Sequence, residues 1–302
     1  MEQLTVFTPT YNRAACLNRL YQSLLLQSCR DFIWLVVDDG SQDETPALLR
    51  KWSGEGKLAL RWLRTENGGK HRAHNLGVRL AETELFFCVD SDDVLPGDAV
   101  EKLLCHWNAC AEKQLAGIIA YKQRFSDRET GGRLYTRHPA SLRSFYQNGL
   151  TGDAALVYRT KLLKEHPFPE IPGEKFMTEN VVYAQIDREY PLLPLYRVLT
   201  ITETRPDGYT HNALRLLRDN PKGWALYHRQ CALFSDNRPQ RRHHLRQFVC
   251  YAILSGEKQI FRICRKMNAS ASILPGYMLA FKRRLQYRTL RHQEKPIQDS
   301  AE

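Results

Sequence analysis

Three carboxylates lie within four residues at the end of an apolar run, at Asp90, Asp92 and Asp93. The run at residues 85–89 is typical of a buried strand, and open α/β sheets bind ligands at the carboxyl ends of their strands. Acids this close repel one another unless a cation lies among them. A divalent ion such as Mg2+ or Mn2+, carrying a diphosphate, would supply that charge. An Asp-rich turn that opens a helix near Pro96 is the alternative, and these residues alone leave both readings open.

A second acidic pair, Asp38 and Asp39, follows the apolar run at residues 32–37 and precedes Gly40 and Ser41. One of these carboxylates could accept hydrogen bonds from a base N–H or a ribose hydroxyl. A turn that ends in a helix cap explains the Asp-Gly-Ser pattern at least as well.

A glycine turn at residues 67–69 opens a helix whose first turn carries Lys70, His71 and Arg72. The helix macrodipole disfavours cations at a helix N-terminus, so their presence indicates an anion there, and a phosphate would provide it. The spacing of a P-loop is absent. A solvated surface turn is the alternative.

The elements that position these residues alternate between strand and helix. Strands are predicted at residues 4–8, 32–37, 58–63, 85–89, 116–121, 155–158 and 195–202, with amphipathic helices between the first four. This alternation predicts an α/β fold with a mostly parallel sheet in right-handed crossovers. The polar loops then converge on one edge of the sheet. A hairpin is predicted over residues 125–135, around Gly131 and Gly132.

Charge divides the 302-residue chain unevenly. The net charge is +11, yet residues 211–302 alone carry 18 Lys+Arg and 6 Asp+Glu. We therefore predict a domain at residues 1–211 and a basic, mainly helical extension at 212–302. Nucleic acid, an anionic membrane surface or an acidic partner could each explain such an extension. Nucleic acid is not expected, because no reading motif accompanies the charge.

The eight cysteines are scattered, with no Cys-x-x-Cys spacing, which is typical of reduced thiols in a cytosolic protein. The sequence enters a strand at once, so we expect no signal peptide, and no stretch reaches the roughly 18 apolar residues of a membrane span. A cytoplasmic location, peripheral at the inner face of the membrane, is expected.

Taken together, four ordered motifs resemble family 2 glycosyltransferases of the GT-A fold over about residues 3–205. They lie at residues 8–13, 36–41, 67–77 and 90–93. Residues 69–73, 167–170 and 173–176 further resemble a bacterial subgroup linked to capsule, exopolysaccharide or lipopolysaccharide assembly. The resemblance implies inverting transfer of a sugar from a nucleotide-diphosphate donor, expected to be a UDP-sugar, to a hydroxyl of a surface glycan or lipid-linked oligosaccharide.

The resemblance also implies roles for single residues. Asp90, Ser91 and Asp92 would form the Asp-x-Asp motif, with Asp92 bound to Mn2+ or Mg2+ and Asp90 at the ribose or a metal-bound water. Asp39 would accept from the base N–H, and Asp38 would hold its loop. The remaining residues implied to bind the nucleotide sugar are Thr8, Pro9, Tyr11, Arg13, Lys70, His71, Arg72 and Asn75.

The general base is the weakest part of the resemblance. Many relatives carry Glu-Asp where this chain has Glu179 and Asn180, and an amide cannot accept the proton. On the residues alone, an acid after Thr178 is better explained by a helix start. With the resemblance, we predict Glu179 as the base and Asp153 as the alternative.

Other functions stay open at this point. A sugar-nucleotide nucleotidyltransferase would share the sheet and metal but should show a glycine-rich N-terminal loop. A catalytically silent nucleotide-sugar-binding scaffold is the other alternative. In the extension, residues 277–281 beside Lys282, Arg283, Arg284 and Arg288 could form an amphipathic helix on an anionic membrane, or a solvated tail.

Overall fold

The computed structural model describes residues 2–110, 114–126, 134, 136–203 and 212–293. Within these ranges one sheet contains seven strands. They are β1 (Leu4–Thr10), β2 (Phe32–Asp38), β3 (Leu60–Arg64), β4 (Leu85–Cys88), β5 (Gly117–Arg124), β6 (Ala154–Arg159) and β7 (Leu192–Thr202).

The strand order is β3-β2-β1-β4-β6-β5-β7, which confirms the predicted α/β class. The first four strands pair in parallel, as expected for strand-helix alternation. The other half is mixed, because β6 runs antiparallel to both β4 and β5, while β5 and β7 are parallel. Two reversals leave β5 running in the same direction as β4, so their carboxyl ends share one edge.

Helices flank and connect the strands. Those among the first 190 residues are α1 (Ala14–Leu25), α2 (Thr45–Glu55), α3 (Lys70–Leu80), α4 (Ala99–Asn108), α5 (Leu142–Gln147), α6 (Thr160–Glu165) and α7 (Asn180–Ile186). Later in the chain are α8 (Ala213–Asp219), α9 (Pro221–Phe234), α10 (Arg238–Leu254), α11 (Ile260–Lys266), a 3-10 turn (Ser270–Ser272) and α12 (Ile273–Gln293). The hairpin predicted over residues 125–135 falls largely outside the described residues.

Contacts divide the chain into two compact units. The first comprises residues 1–170 and 182–205, and the second comprises residues 171–181 and 206–302. The segment 171–181, which the sequence interpretation placed in the first domain, thus groups with the C-terminal residues. The domain boundary at 211/212 stays a prediction, since residues 204–211 lie outside the described ranges.

The core of the first unit lies against the sheet. Tyr21 of α1 stacks on Trp52 of α2 with ring centroids 4.3 Å apart, and both rings adjoin the fully buried Trp34 of β2. Aromatic pairs of this kind contribute about 0.5–1.5 kcal/mol each beyond their buried area. Helix α3 approaches β1 so closely that a Cβ on Gly77 would lie 2.2 Å from the Phe7 ring. Any larger residue there would displace α3, and with it the lysine at its start.

The second unit has its own apolar core. It includes Phe248, Val249 and Tyr251 of α10, which pack with residues of α9 and α11. A Cβ on Gly276 of α12 would lie 2.4 Å from Val249, so the glycine permits close helix approach. Segment 171–181 is held by α9, because the buried Glu174 accepts the amides of Lys222 and Gly223, each at 2.7 Å. That carboxylate therefore caps the N-terminus of α9.

All eight cysteines are free. Within the described ranges, no helix combines the length and the apolar character needed to cross a bilayer.

Candidate active site

Strand register brings three loops to one edge of the first unit. Thr10 pairs with Asp38 and Asp38 with Arg64, so β1, β2 and β3 end side by side. Hydrogen bonds then link the loops that follow. The Asp39 amide donates to the Thr10 carbonyl at 2.8 Å, and the Asn12 amide donates to Ser41 Oγ at 2.8 Å.

The Asp39 carboxylate organises the glycine turn that precedes α3. It accepts the amides of Gly68 at 2.7 Å and Gly69 at 2.8 Å, and the Asn67 side-chain amide at 3.1 Å. Gly69 has φ of 95°, a left-handed conformation that glycine adopts without strain. These bonds fix the orientation of the Asp39 carboxylate at the strand edge.

Asp38 is fully buried and holds the neighbouring turn. Its Oδ1 accepts the Ser41 amide at 2.9 Å, an Asx turn, and its Oδ2 lies 3.5 Å from Arg64 Nε. Arg64 also donates to the Ser41 carbonyl. These contacts agree with a loop-holding role for Asp38.

Two lysines flank Asp90. Lys70 Nζ, at the start of α3, lies 2.7 Å from Asp90 Oδ1, and Lys122 Nζ, near the end of β5, lies 3.9 Å from Oδ2. Burial would raise the pKa of Asp90, but the two ammonium groups outweigh burial and hold that pKa at about 2. Asp90 is therefore ionised at neutral pH, and its charge is already balanced by protein cations.

Lys122 also binds Asp93, at 2.7 Å from Nζ to Oδ2. Asp93 is 2% exposed, and burial raises its pKa, opposed by Lys122 and reinforced by the charge of Asp90. Burial would lower the pKa of Lys122, but Asp93 and Asp90 raise it well above its ordinary value. The pair ties the acidic loop to β5.

Asp92 differs from both neighbouring acids. Its side chain is half-buried and makes no hydrogen bond or ion pair with any described residue. Ser91, between the two outer acids of the motif, is 5% exposed. The acidic cluster thus contains two carboxylates paired with lysine and one open carboxylate.

Asp92 could bind a hard cation if a bound ligand, such as a diphosphate, supplied the other oxygen atoms. Within the described ranges, no three His, Cys, Asp or Glu side chains converge as a metal site. Mg2+, however, is commonly held by one or two carboxylates together with substrate phosphates. Asp92 can supply one such oxygen, whereas Asp90 is engaged by Lys70.

The residues after β1 occupy different environments. Thr8 is fully buried and its hydroxyl accepts from Trp34 Nε1 at 3.1 Å, and Pro9 is buried. Tyr11 is 43% exposed, and Arg13 is half-buried and contributes to the low pKa of Asp90. Nucleotide contact by Thr8 would therefore run through backbone atoms, while Tyr11 and Arg13 offer side chains.

Some polar side chains of α3 already contact other protein residues. The buried Asn75 donates to the Phe168 carbonyl and to Glu170, and it accepts the Phe168 amide at 2.8 Å. Arg72 Nε lies 3.9 Å from Glu170. His71 is 3% exposed with Nδ1 unpaired among the described residues, and burial lowers its pKa to about 4. Roles for these residues at the diphosphate stay predictions.

The two acids predicted for proton transfer belong to different units. Asp153 is exposed and directly precedes β6 in the first unit. Glu179 is exposed, directly precedes α7 and belongs to the second unit. Their roles stay predictions.

Sequence reasoning missed two residues at this edge. Lys122 lies in β5 directly after the apolar residues 117–121, a signal that could have indicated a buried counter-ion. Thr10, at the end of β1, is buried and its hydroxyl has no partner in the described part of the chain. Buried hydroxyls are normally satisfied, so Thr10 Oγ1 is available to a ligand.

The sequence is similar to those of bacterial glycosyltransferases. The chain is 31% identical over 107 residues to the poly(ribitol-phosphate) beta-N-acetylglucosaminyltransferase TarP of Staphylococcus aureus strain N315, covering 34% of this chain and 32% of TarP. It is 31% identical over 135 residues to the glycosyltransferase GlyG of Streptococcus pneumoniae, covering 44% of this chain and 43% of GlyG. The chain thus spans about a third or less of the length of TarP and TarS.

Solved structures show the same fold at low identity. S. aureus TarS 1–349 in complex with UDP-GlcNAc matches with a TM-score of 0.61 and 18% identity, over 94% of this chain and 92% of TarS 1–349. The mannosyltransferase PcManGT of Pyrobaculum calidifontis, in complex with GDP-Man and Mn2+, matches with a TM-score of 0.55 and 17% identity, over 92% and 87% of the two chains.

These likenesses confirm the predicted GT-A fold. The family model described as glycosyl transferase family 2 matches residues 5–165, more than half of the 302 residues. The chain therefore belongs to glycosyl transferase family 2.

Proposed function

We propose that this protein transfers a sugar from a nucleoside diphosphate sugar, a UDP-sugar being expected, to a hydroxyl of a glycan or lipid-linked acceptor with inversion. The observation that carries the proposal is the open carboxylate of Asp92, two residues along the chain from Asp90, which two lysines flank at the strand edge. Binding of UDP-GlcNAc by the structural neighbour TarS supports the choice of donor. The link to capsule, exopolysaccharide or lipopolysaccharide assembly is part of the proposal.

The donor is held through groups that the protein has already ordered. The Asp39 carboxylate, held in place by the glycine turn, would accept from a base N–H, and Thr10 Oγ1 is a buried hydroxyl without a described partner. Lys70 and Lys122 carry positive charge at the acidic loop, where the diphosphate would lie. Donors preorganised in this way stabilise charge that grows on a leaving group without reorganisation.

Asp92 would hold Mg2+ or Mn2+ together with diphosphate oxygens, and such an ion acts as a Lewis acid toward the departing diphosphate. Proton removal from the acceptor is carried out by residues of the protein. Glu179 removes the acceptor hydroxyl proton, a contribution of about 10²- to 10⁴-fold, with Asp153 as the alternative base. The reaction is one in-line displacement, in which the acceptor oxygen bonds to the anomeric carbon as the bond to the diphosphate breaks.

The test is donor hydrolysis and transfer across a panel of nucleotide sugars, with and without Mn2+. Asp92→Asn should abolish metal-dependent turnover, while Asp98→Asn, a surface acid paired with Lys102, should not. Glu179→Gln should lower kcat by about 10²- to 10⁴-fold with donor binding unchanged. Glu189→Gln, also exposed, is its matched control.

Each result separates the alternatives. Full activity in Glu179→Gln would rule out Glu179 as the base and move the test to Asp153→Asn. Retention of anomeric configuration in the product, read by NMR, would contradict single displacement. Donor binding without any turnover would instead favour a silent nucleotide-sugar-binding protein.

Peripheral association with an anionic membrane is a separate part of the proposal. On α12 a stripe of apolar side chains at helical spacing is 42–72% exposed. Its members are Leu274, Tyr277, Met278, Phe281 and Leu285. Basic residues on the same helix suit anionic lipids. Phe281→Asp should reduce cosedimentation with phosphatidylglycerol vesicles, and an unchanged bound fraction would argue for a solvated tail.

A further inference from the structure

Two basic cavities lie side by side in the second unit, near the end of α11. The first, of about 290 Å³, has Arg238, Arg241, Arg242 and Arg246 of α10 on one wall and the turn at residues 268–272 on the other. The second, of about 260 Å³, contains Arg229, Arg262 and Lys266. Within the described residues, neither cavity is lined by an acidic or aromatic side chain.

The α10 arginines form one face of the helix. Their spacing of three, four and eight residues places them on the same side. Arg238, Arg242 and Arg246 form no ion pair with any described residue. Arg241 is fixed, since its Nη2 donates to the Met267 carbonyl at 2.7 Å. Like charges concentrated on one wall of a cavity, without counter-ions, favour binding of an anion.

The second wall of the first cavity adds to this preference. Ala271 and Ser272 belong to the turn that leads into the 21-residue α12, so the cavity lies at the positive end of a long helix dipole. Arginine forks also match phosphate and carboxylate geometry. The first cavity thus combines side-chain charge with a helix N-terminus.

The two cavities are adjacent because consecutive residues line them. Lys266 and Met267 line the second, and Asn268 and Ala269 line the first. Successive Cα atoms are about 3.8 Å apart, so an anionic group in each cavity can belong to one ligand. A single inorganic phosphate would occupy only one of them.

We infer that the paired basic cavities bind a chain-like polyanionic glycan, one that carries phosphodiester or carboxylate groups at intervals. The inference rests on the proposed transferase function only in identifying that chain as the acceptor. The cavities are concave, and none of the described residues that line them is a large exposed apolar side chain, which distinguishes the cavities from the apolar stripe of α12. Single-stranded nucleic acid usually stacks its bases on aromatic side chains, and none lines these cavities.

The experiment compares two triple variants of the full chain that remove the same charge. In the cavity variant, three exposed arginines of the two cavities become glutamine: Arg242→Gln, Arg246→Gln and Arg262→Gln. In the control variant, three exposed cations of the same unit outside both cavities become glutamine: Lys222→Gln, Lys258→Gln and Arg265→Gln. Circular dichroism and melting curves confirm folding of both.

Binding is measured for polyphosphate, polygalacturonate, inorganic phosphate and phosphatidylglycerol vesicles. We expect at least one polymer to bind far more tightly than inorganic phosphate at equal anion concentration. The cavity variant should bind that polymer more weakly by about tenfold or more, since each lost hydrogen bond between charged groups is worth about that factor. The control variant should keep the affinity of the unmodified protein.

Three results would overturn the inference: no polymer binding, equal losses in both variants, or vesicle binding that the cavity variant alone abolishes. Donor hydrolysis without acceptor is followed in parallel and should be unchanged in the cavity variant. Absence of polymer binding in a protein that hydrolyses donor would refute the cavities and leave the proposed function standing. Polymer binding without any donor turnover would refute the proposed function and leave the inference about the cavities standing.

Discussion

Replacing Lys122 by methionine should destabilise the first unit more than any surface charge change. Methionine keeps an unbranched apolar side chain but removes the ammonium 2.7 Å from Asp93. At that distance Coulomb attraction amounts to about 6 kcal/mol for an effective dielectric of about 20. Part of it is offset because the lysine no longer has to be desolvated. Removal of one member of a buried ion pair typically destabilises a protein by about 3–5 kcal/mol. We expect the free energy of unfolding of Lys122→Met to fall by that amount.

Urea unfolding at neutral pH, followed by tryptophan fluorescence, measures this loss. Four of the five tryptophans, at residues 34, 52, 62 and 107, belong to the first unit, so the signal reports on that unit. The midpoint should fall while the slope of free energy against urea stays the same, as expected when stability changes and the exposed area does not.

Two further variants define the cause. Lys102→Met removes the exposed partner of Asp98 and should change stability by no more than about 1 kcal/mol. Adding Asp93→Asn to Lys122→Met removes the unpaired buried charge and should restore most of the lost stability. If the double variant were as unstable as Lys122→Met alone, lost packing and not charge would be responsible, and the reasoning would be wrong.

Two other predictions concern buried groups whose contacts are explicit. His74 packs edge-on against Phe7, Phe86 and Phe168, and burial lowers its pKa to about 3, below its unfolded value of about 6.5. Between pH 7 and pH 5, His74 therefore takes up a proton in the unfolded state but not in the folded state, which lowers the free energy of unfolding by about 2 kcal/mol. The His74→Phe variant should lose about 2 kcal/mol less stability than the unmodified protein over this pH range, as measured by urea midpoints. An unchanged pH profile would contradict this. Glu174→Gln should speed hydrogen exchange at the α9 amides that it caps and lower stability by about 1–2 kcal/mol; unaltered exchange would exclude the cap.

Local pattern was enough to predict most of the sheet. Strands β1, β2 and β4 are predicted because both faces of a central parallel strand are buried, which favours apolar residues such as those at 32–37 and 85–88. Errors concern their ends: the strand expected at residues 58–63 lies at Leu60–Arg64. Strand boundaries depend on hydrogen bonds to neighbours, which the local pattern does not contain.

The sequence by itself determined which polar residues follow each strand, since residue type and strand ends are local properties. Tertiary structure alone decided which of them are free to act. Asp90 and Asp93 are paired because strand order brings Lys122 to their edge from about 30 residues away, and Asp92 is left open. Antiparallel insertion of β6 between β4 and β5 produces that order, and such pairing is set by long-range packing. In the second unit, the grouping of residues 171–181 with the C-terminal helices likewise depends on a carboxylate, Glu174, that caps a helix beginning at Pro221.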